Sequence, residues 1–363
     1  MQLHNLEIEK LVIPFRIAFQ HSAATRASTE TIIVKATTIS GLCGIGEGCP
    51  RSYVTGETVD TTIDFFNAHQ HEFMELGSIE DLKTWTSNNR ALIDSNPAAF
   101  CSIELALINA LALENNQSIE EVLSLPKLTG AFQYTGVLGS RNPHIFDNQL
   151  SAYLKKRIND FKVKLFGKDR IDRLNLEAFE AYKTNESRLR FDANNLWTKP
   201  DEALSYIKKH GLGEFSIEEP LSARNYLSLL AVFNQTGSRI ILDESFTRVN
   251  DFKHIYNTPE SWIVNIRVSK LGGLLRSIEA IEKSKQLGIP VIIGAQVGET
   301  SILTRAAQAI ANACREVLVA QEGAFGTHLL KYDIVEPPIM FGGGGTIRAE
   351  QIPKNITVGA RWC

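Results

Sequence analysis

The chain contains no long basic run, no CxxC pair, no histidine at zinc spacing from its cysteines and no stretch near the roughly 20 unbroken apolar residues of a membrane helix. Each absence removes a class of function. With a formal charge of -3 and dispersed basic residues, nucleic acid and anionic membrane surfaces are not expected partners. Five scattered cysteines (Cys43, Cys49, Cys101, Cys314 and Cys363) argue against a disulfide framework or a zinc site and read as the reduced thiols of a cytoplasmic protein. The opening MQLHNLEIEKLVIPF alternates apolar and polar residues as a strand does, and lacks the apolar centre of a signal peptide. What is present is ordinary globular usage: 44% hydrophobic and 22% charged residues in 363 positions, enough for one large barrel or two average domains.

The rhythm of the sequence changes once. Residues 6–14, 31–38 and 42–47 read as strands; between the first two, residues 15–30 are too rich in Ser, Thr and Ala to suit a core strand. Helical periodicity holds from 57 to about 123, clearest over 98–113, where Ile103, Leu107, Ala110 and Leu111 share a stripe. From Gln133 onward, β-like runs alternate with amphipathic helices: YTGVL, FKVKLF, LRFDAN, FSIEEP, RIILDES, WIVNIRVSK, PVIIGAQ and VLVAQE. That is the make-up of a closed parallel barrel. A doubly wound open sheet is the alternative, but YTGVLGSRN is not the glycine-rich turn that usually follows its first strand. The expected fold is α/β: a TIM-like (β/α)7β barrel over 131–336, an α+β capping domain over 1–130, and a tail, 337–363, returning to the cap.

In such a barrel, chemistry gathers at the C-terminal ends of the strands. The second run ends Lys162-Val163-Lys164, with both lysines on one face by alternation. The third ends Asp192-Ala193-Asn194, the fourth Glu218-Glu219-Pro220 and the fifth Asp243-Glu244-Ser245. The sixth carries Asn265, Arg267 and Ser269 on one face, followed by Lys270. A single acid at a strand end is commonly a helix cap or a solvated turn. Acids on three consecutive strands facing one lumen repel one another and are costly to bury unpaired. A hard divalent cation resolves the repulsion, and carboxylate, water and substrate oxygens suit the octahedron of Mg²⁺, with Mn²⁺ as a substitute. A lysine held partly neutral beside a cation can act as a base, and magnesium stabilises the charge left when a carbon beside a carboxylate loses its proton.

In this order, FKVKLF, FDANN, IEEP, LDES and NIRVSKLGG resemble the enolase superfamily, specifically its muconate-lactonizing-enzyme subgroup of muconate cycloisomerases, o-succinylbenzoate synthases and dipeptide epimerases. IGEGCPRSYVTGET is similar to the cap of those enzymes, and the likeness spans essentially the whole chain. The resemblance implies that Asp192, Glu218 and Asp243 hold magnesium, with Glu218 preferred to Glu219 because the superfamily ligand is the first residue of E-x-P. It implies Lys164 as acid/base and Lys162 as its companion; a lysine or histidine base working with magnesium is a general property of the superfamily. Two cap loops, 15–26 and 51–57, would close over the substrate, with His21, Arg26, Arg51 and Tyr53 as contacts; Asn194, Asn265 and Glu322 are the expected contacts from the barrel.

One departure matters. The subgroup places a second catalytic lysine at the first K of N-x-K-x-x-K-x-G-G, where this chain has Arg267, and Lys270 falls at the second. Alternation puts Arg267, not Lys270, on the face of Asn265. Arginine is a poor base and a good carboxylate clamp. A one-base cycloisomerisation or syn-elimination through Lys164 is therefore the leading expectation. A register slip that swings Lys270 inward would restore the alternative, a two-base racemase or epimerase of amino acids or dipeptides. The D-x-D of dipeptide epimerases is missing from the eighth run, where Gln321-Glu322-Gly323-Ala324-Phe325-Gly326 and then His328-Leu329-Leu330 look more like the E-x-x-F-G-x-x-L-L of muconate cycloisomerases. No histidine ends the seventh run, IIGAQVGET, so the dyad of the mandelate racemase subgroup is missing too. A non-catalytic metal- or metabolite-binding relative is the reading from another class. The expected partner is a small-molecule carboxylate, and a symmetric homo-oligomer is compatible with such a barrel.

Overall fold

The computed structural model describes residues 1–20, 25–356, 358–359 and 362. Five strands come first: β1 (Leu3–Leu11), β2 (Pro14–Gln20), β3 (Thr25–Ser28), β4 (Thr31–Thr38) and β5 (Cys43–Gly48). β1, β4 and β5 form an antiparallel sheet in that order, and β2 and β3 form a two-stranded ribbon, with Phe15 of β2 also bridging to Leu330. Much of the segment expected to be unsuited to a strand is thus a separate ribbon, whose own backbone pairing does not require the apolar faces of a core strand. Five helices follow: α1 (Val59–Met74), α2 (Ile79–Asn88), α3 (Arg90–Ser95), α4 (Pro97–Glu114) and α5 (Ile119–Leu123).

α4 is the centre of this cap. By length and composition it could cross a membrane, yet it is buried on every side from Pro97 to Ala112, not along one stripe. Its small residues explain how. On β5, alternation puts Gly44, Gly46 and Gly48 on one face, and α4 presents Ala98, Ser102, Ala106 and Ala110 one turn apart. A Cβ on any of the three glycines would overlap a backbone carbonyl of α4, so the helix lies directly on the strand.

After β6 (Ala131–Gln133), strands and helices alternate: β7 (Gly136–Leu138), α6 (Pro143–Lys155), β8 (Asp160–Lys164), α7 (Asp169–Tyr182), β9 (Arg188–Asp192), α8 (Pro200–Lys209), β10 (Ser216–Glu218), α9 (Tyr226–Thr236) and β11 (Ile240–Leu242). The series continues with β12 (Trp262–Ile266), α10 (Val268–Leu271), α11 (Leu274–Leu287), β13 (Val291–Ile293), α12 (Ser301–Ala313) and β14 (Leu318–Gln321); a last strand, β15 (Thr346–Arg348), pairs back with β6. β7 to β14 form one parallel eight-stranded curled sheet in sequential order. Thr135 N–H donates to the Gln321 carbonyl at 2.8 Å, bringing the two edges together. The sixth strand is shorter than expected: it stops at Ile266, and Ser269 and Lys270 belong to α10.

Buried carboxylates fasten cap to barrel. Glu47 of β5 accepts from the Thr300 N–H (3.0 Å) and hydroxyl (2.7 Å) at the start of α12. Glu104 of α4 accepts from the Leu274 and Leu275 N–H groups that open α11. Helix starts leave such donors unsatisfied and favour negative charge. Cys49, Cys101 and Cys314 are free and buried, but Cys43 is disulfide-bonded, which corrects the expectation of uniformly reduced thiols. Cysteine spacing alone could not reveal a bridge made by the fold.

Replacing Gly46 with Ala should push α4 off β5 and lower stability by about 1–3 kcal/mol, the usual cost of overpacking. Urea melts check this; an unchanged midpoint would mean the helix has room to move.

Candidate active site

Strand pairing aligns the functional residues at one level. Lys164 on β8 lies beside Asp192 on β9, and Asp192 beside Glu218 on β10. Gly139 leaves room for the Lys164 side chain, which a Cβ there would strike.

The two lysines have opposite fates. Lys162 donates to Glu218 (3.2 Å) and Glu322 (2.9 Å), with Asp192 at 3.8 Å. Burial works against its charge, but these carboxylates more than offset it and hold its proton more tightly than usual. Lys164 donates to Asn194 Oδ1 at 3.1 Å and stands 3.7 Å from Asp192. Its pKa is lowered, chiefly by burial, with Lys162 adding to the effect against the pull of Asp192. One lysine is a fixed cation, and the other loses its proton more readily than an ordinary lysine.

Acids crowd the same level. Glu218 is pushed up to about 8, mainly by burial, with repulsion from Asp192, Glu322 and Asp243 opposing the pull of Lys162. Glu244 is raised as well, by burial and by Asp243 and Glu219, and its Oε2 is buried without a partner. Burial would also raise Asp243, but Arg267 and Lys270 hold it well below the usual carboxylate range. Glu219 turns away from the lumen at φ +41° and accepts from Asp243 N–H (2.8 Å), Ser245 N–H (2.7 Å) and Ser245 Oγ (2.8 Å). It ties adjacent strand ends together, while Glu218 faces the lysines.

Among the described residues, no three His, Cys, Asp or Glu side chains form a ready-made metal cage, because cations already pair with the acids. The donor chemistry nevertheless fits magnesium: Asp192, Glu218 and Asp243 offer oxygen only, and the neighbouring Asn265 Oδ1 and Glu244 Oε2 are buried without hydrogen-bond partners among the described residues.

Other expected contacts lie elsewhere. Lys270 is fully buried behind Asp243, donating at 2.8 Å to its Oδ1 and backbone oxygen and to the Asn265 carbonyl. Ending the strand at Ile266 turns Lys270 away from the lumen, so it pairs with Asp243 and does not line the cavity. Arg267 pairs with Asp243, donates to Gln296 Oε1 at 2.9 Å, and faces the cavity. Asn265 reaches Glu218 at 3.5 Å. Arg51 donates to the backbone oxygens of Glu30 (3.0 Å), Pro50 (2.7 Å) and Val297 (2.6 Å), which makes it a cap-to-barrel tie that does not line the cavity. Arg26 pairs with Glu30 at 2.6 Å and lies over the Tyr53 ring, away from the cavity wall; His21 lies outside the described residues.

A cavity of about 390 Å³ joins Tyr53, Lys162, Lys164, Asp192, Asn194, Arg267 and Glu322. Both Glu322 oxygens are committed, one to Lys162 and the other to Arg190 at 2.8 Å, and this pairing holds it at about 2 against the effect of burial. Arg190 escaped the sequence reading, although alternation places it on the Asp192 face of β9. Glu299 and Gln296, at the end of the seventh strand, also line this cavity without any motif to mark them.

The family model described as enolase C-terminal domain-like matches residues 146–353, more than half of the chain. The L-Ala-D/L-Glu epimerase of Bacillus subtilis is 26% identical over 366 residues, covering 99% of this chain and 98% of the relative. The N-succinyl-L-Arg/Lys racemase of Bacillus cereus is 23% identical over 84% of this chain and 83% of its own. Its crystal structure superposes at 21% identity with a TM-score of 0.87, covering 100% of this chain and 97% of that one. A dipeptide epimerase from Enterococcus faecalis, complexed with Mg and L-Leu-L-Tyr, superposes at 22% identity with a TM-score of 0.79, covering 99% and 98%. At these identities the superpositions show a shared fold.

Changing Lys162 to Met should cost about 3–5 kcal/mol by leaving buried carboxylates uncompensated. Losing its charge also raises the Lys164 pKa, so the acid limb of the pH–kcat/KM profile should move to higher pH. A limb that stays in place would show that Lys162 does not tune Lys164.

Proposed function

The chain belongs to the enolase C-terminal domain-like family and is an isomerase, and from that premise we propose that it is a magnesium-dependent racemase or epimerase acting beside a carboxylate on an N-acyl amino acid or dipeptide. The observation that carries this reading is the split lysine pair: an amine that gives up its proton readily, Lys164, beside a fixed cation and a cluster of acids. Lys164 would take the α-proton, and Asn194, 3.1 Å away, would orient its amine. Asp192, Glu218 and Asp243 would hold magnesium, which when bound would neutralise the negative charge developing on the substrate carboxylate. Lys270 would keep Asp243 aimed from behind.

The one-base cycloisomerase was the leading expectation from Arg267 and the missing D-x-D. The curated relatives named above are all racemases or epimerases, and they favour the alternative. Arg267 remains the feature that keeps a one-base reaction as the second reading.

Incubation in D₂O with Mg²⁺ and paired epimers of L-Ala-Glu and of N-succinyl-lysine, followed by chiral analysis, tests the proposal. Inversion with uptake of one deuterium is expected. Exchange with retention on every pair would support the one-base reading instead. Chelation by EDTA should remove turnover, and added Mg²⁺ or Mn²⁺ should restore it; turnover indifferent to chelation would contradict the metal assignment.

A further inference from the structure

Inversion at a carbon needs an acid/base group on each face, and the sixth-strand position that could supply the second holds a permanent cation, Arg267. Most of the other ionisable groups around the cavity near Lys164 are committed. Lys162 and Glu322 bond to each other, Asp192 stands among the proposed metal ligands, and Glu244 adjoins another of them. Lys156 and His328 lie within 2.9 Å of each other beside Phe341. Glu299 is different.

Glu299 sits on the loop after β13 and lines the same cavity as Lys164 and Arg267. Along the curled sheet β9 to β12 lie between β8 and β13, and across its joined edges β14 and β7 do, so the two strand ends approach the lumen from different sides. Oε1 of Glu299 accepts from the Gln296 N–H at 2.5 Å, and among the described residues no hydrogen bond engages Oε2. The Gln296 side chain accepts from Arg267 at 2.9 Å, so Arg267, Gln296 and Glu299 form one connected wall. Gly294 makes this possible: a Cβ there would strike Asn265 Oδ1 and crowd Arg267.

We propose that Glu299 is the second acid/base, serving the face of the α-carbon opposite Lys164. This rests on the epimerase reading. In one direction the C–H bond breaks as Lys164 takes the proton, and a new C–H bond forms on the other face from the protonated Glu299 carboxyl. In the reverse direction the Glu299 carboxylate takes the proton and the Lys164 ammonium returns one. No electron acceptor is needed, and both groups are reset by proton exchange with water. Burial raises Glu299 to about 7, against the Gln296 N–H, Arg267 and Arg51, so both of its forms exist at neutral pH. Arg267 then has a task compatible with its permanent charge: steadying the substrate carboxylate and the Glu299 anion.

The test uses full-length Glu299→Gln and Lys164→Met with Mg²⁺ in D₂O, each started separately from the two epimers of whichever pair the wild type interconverts. The loss of α-proton signal is followed by NMR. In Glu299→Gln, one epimer should keep its exchange within about 10-fold, while exchange from the other and net inversion fall by at least about 100-fold. Lys164→Met should show the mirror image. The exchange retained from one epimer also shows that the variant is folded. Exchange kept from both epimers in Glu299→Gln, or lost from both, overturns the proposal while leaving the epimerase reading standing. A wild type that exchanges without inversion on every pair removes that reading, and this proposal with it.

Discussion

A lysine buried in a barrel lumen stays charged only where carboxylates surround it, and the site is organised around meeting that condition at Lys162. A chain of alternating charges runs up the inside of the barrel: Asp160, Arg190, Glu322, Lys162 and Glu218, each within 3.2 Å of the next. Arg190 is held in turn by Asp160 and Thr135, and Asp160 also accepts from Thr135 at 2.5 Å. Burial pushes Lys164, two residues along, toward its neutral form, and the fixed charge of Lys162 adds to that effect. The same strand thus supplies a fixed charge and an amine that gives up its proton more readily. Above them, burial and then the repulsion of neighbouring acids raise Glu218 and Glu244. A hard cation suits such a cluster of oxygen donors.

The cap is attached by the same physical rule, that buried polar groups need partners. Glu47 and Glu104 each satisfy donors at the start of a barrel helix, and Glu57 does so within the cap at the start of α4, accepting from Ala98 and Ala99 at 2.9 and 3.0 Å. Cys49 N–H donates to Ser269 Oγ at 2.8 Å, and Arg51 spans from Glu30 to Val297. These ties hold the 51–57 segment, whose Tyr53 lines the cavity.

Much of this was legible in the sequence. The eight runs and their order followed from local alternation, and Asp192, Glu218, Asp243, Lys162 and Lys164, which strand pairing brings to one level, stood out because functional groups of such barrels collect at strand ends. What stayed hidden depended on contacts distant in sequence. Lys270 turns away from the lumen, behind Asp243, because α10 begins at Val268, a boundary that the run WIVNIRVSK conceals. Arg51 looks like a substrate clamp until three backbone oxygens claim it. The Gly44, Gly46 and Gly48 alternation was visible, but its meaning required α4 on the other side. Glu299 carries no motif and gains interest only once Arg267 occupies the neighbouring strand end.

The most direct test of the central claim is a pH titration of the two lysine side chains, by NMR of protein labelled with ¹³C at lysine Cε, assigned with Lys162→Met and Lys164→Met. The account predicts one resonance, Lys164, titrating below the range of ordinary lysines, and a second, Lys162, that remains protonated up to the pH at which the protein unfolds. Two lysines titrating together in the ordinary range would contradict the division of labour from which the proposed chemistry follows.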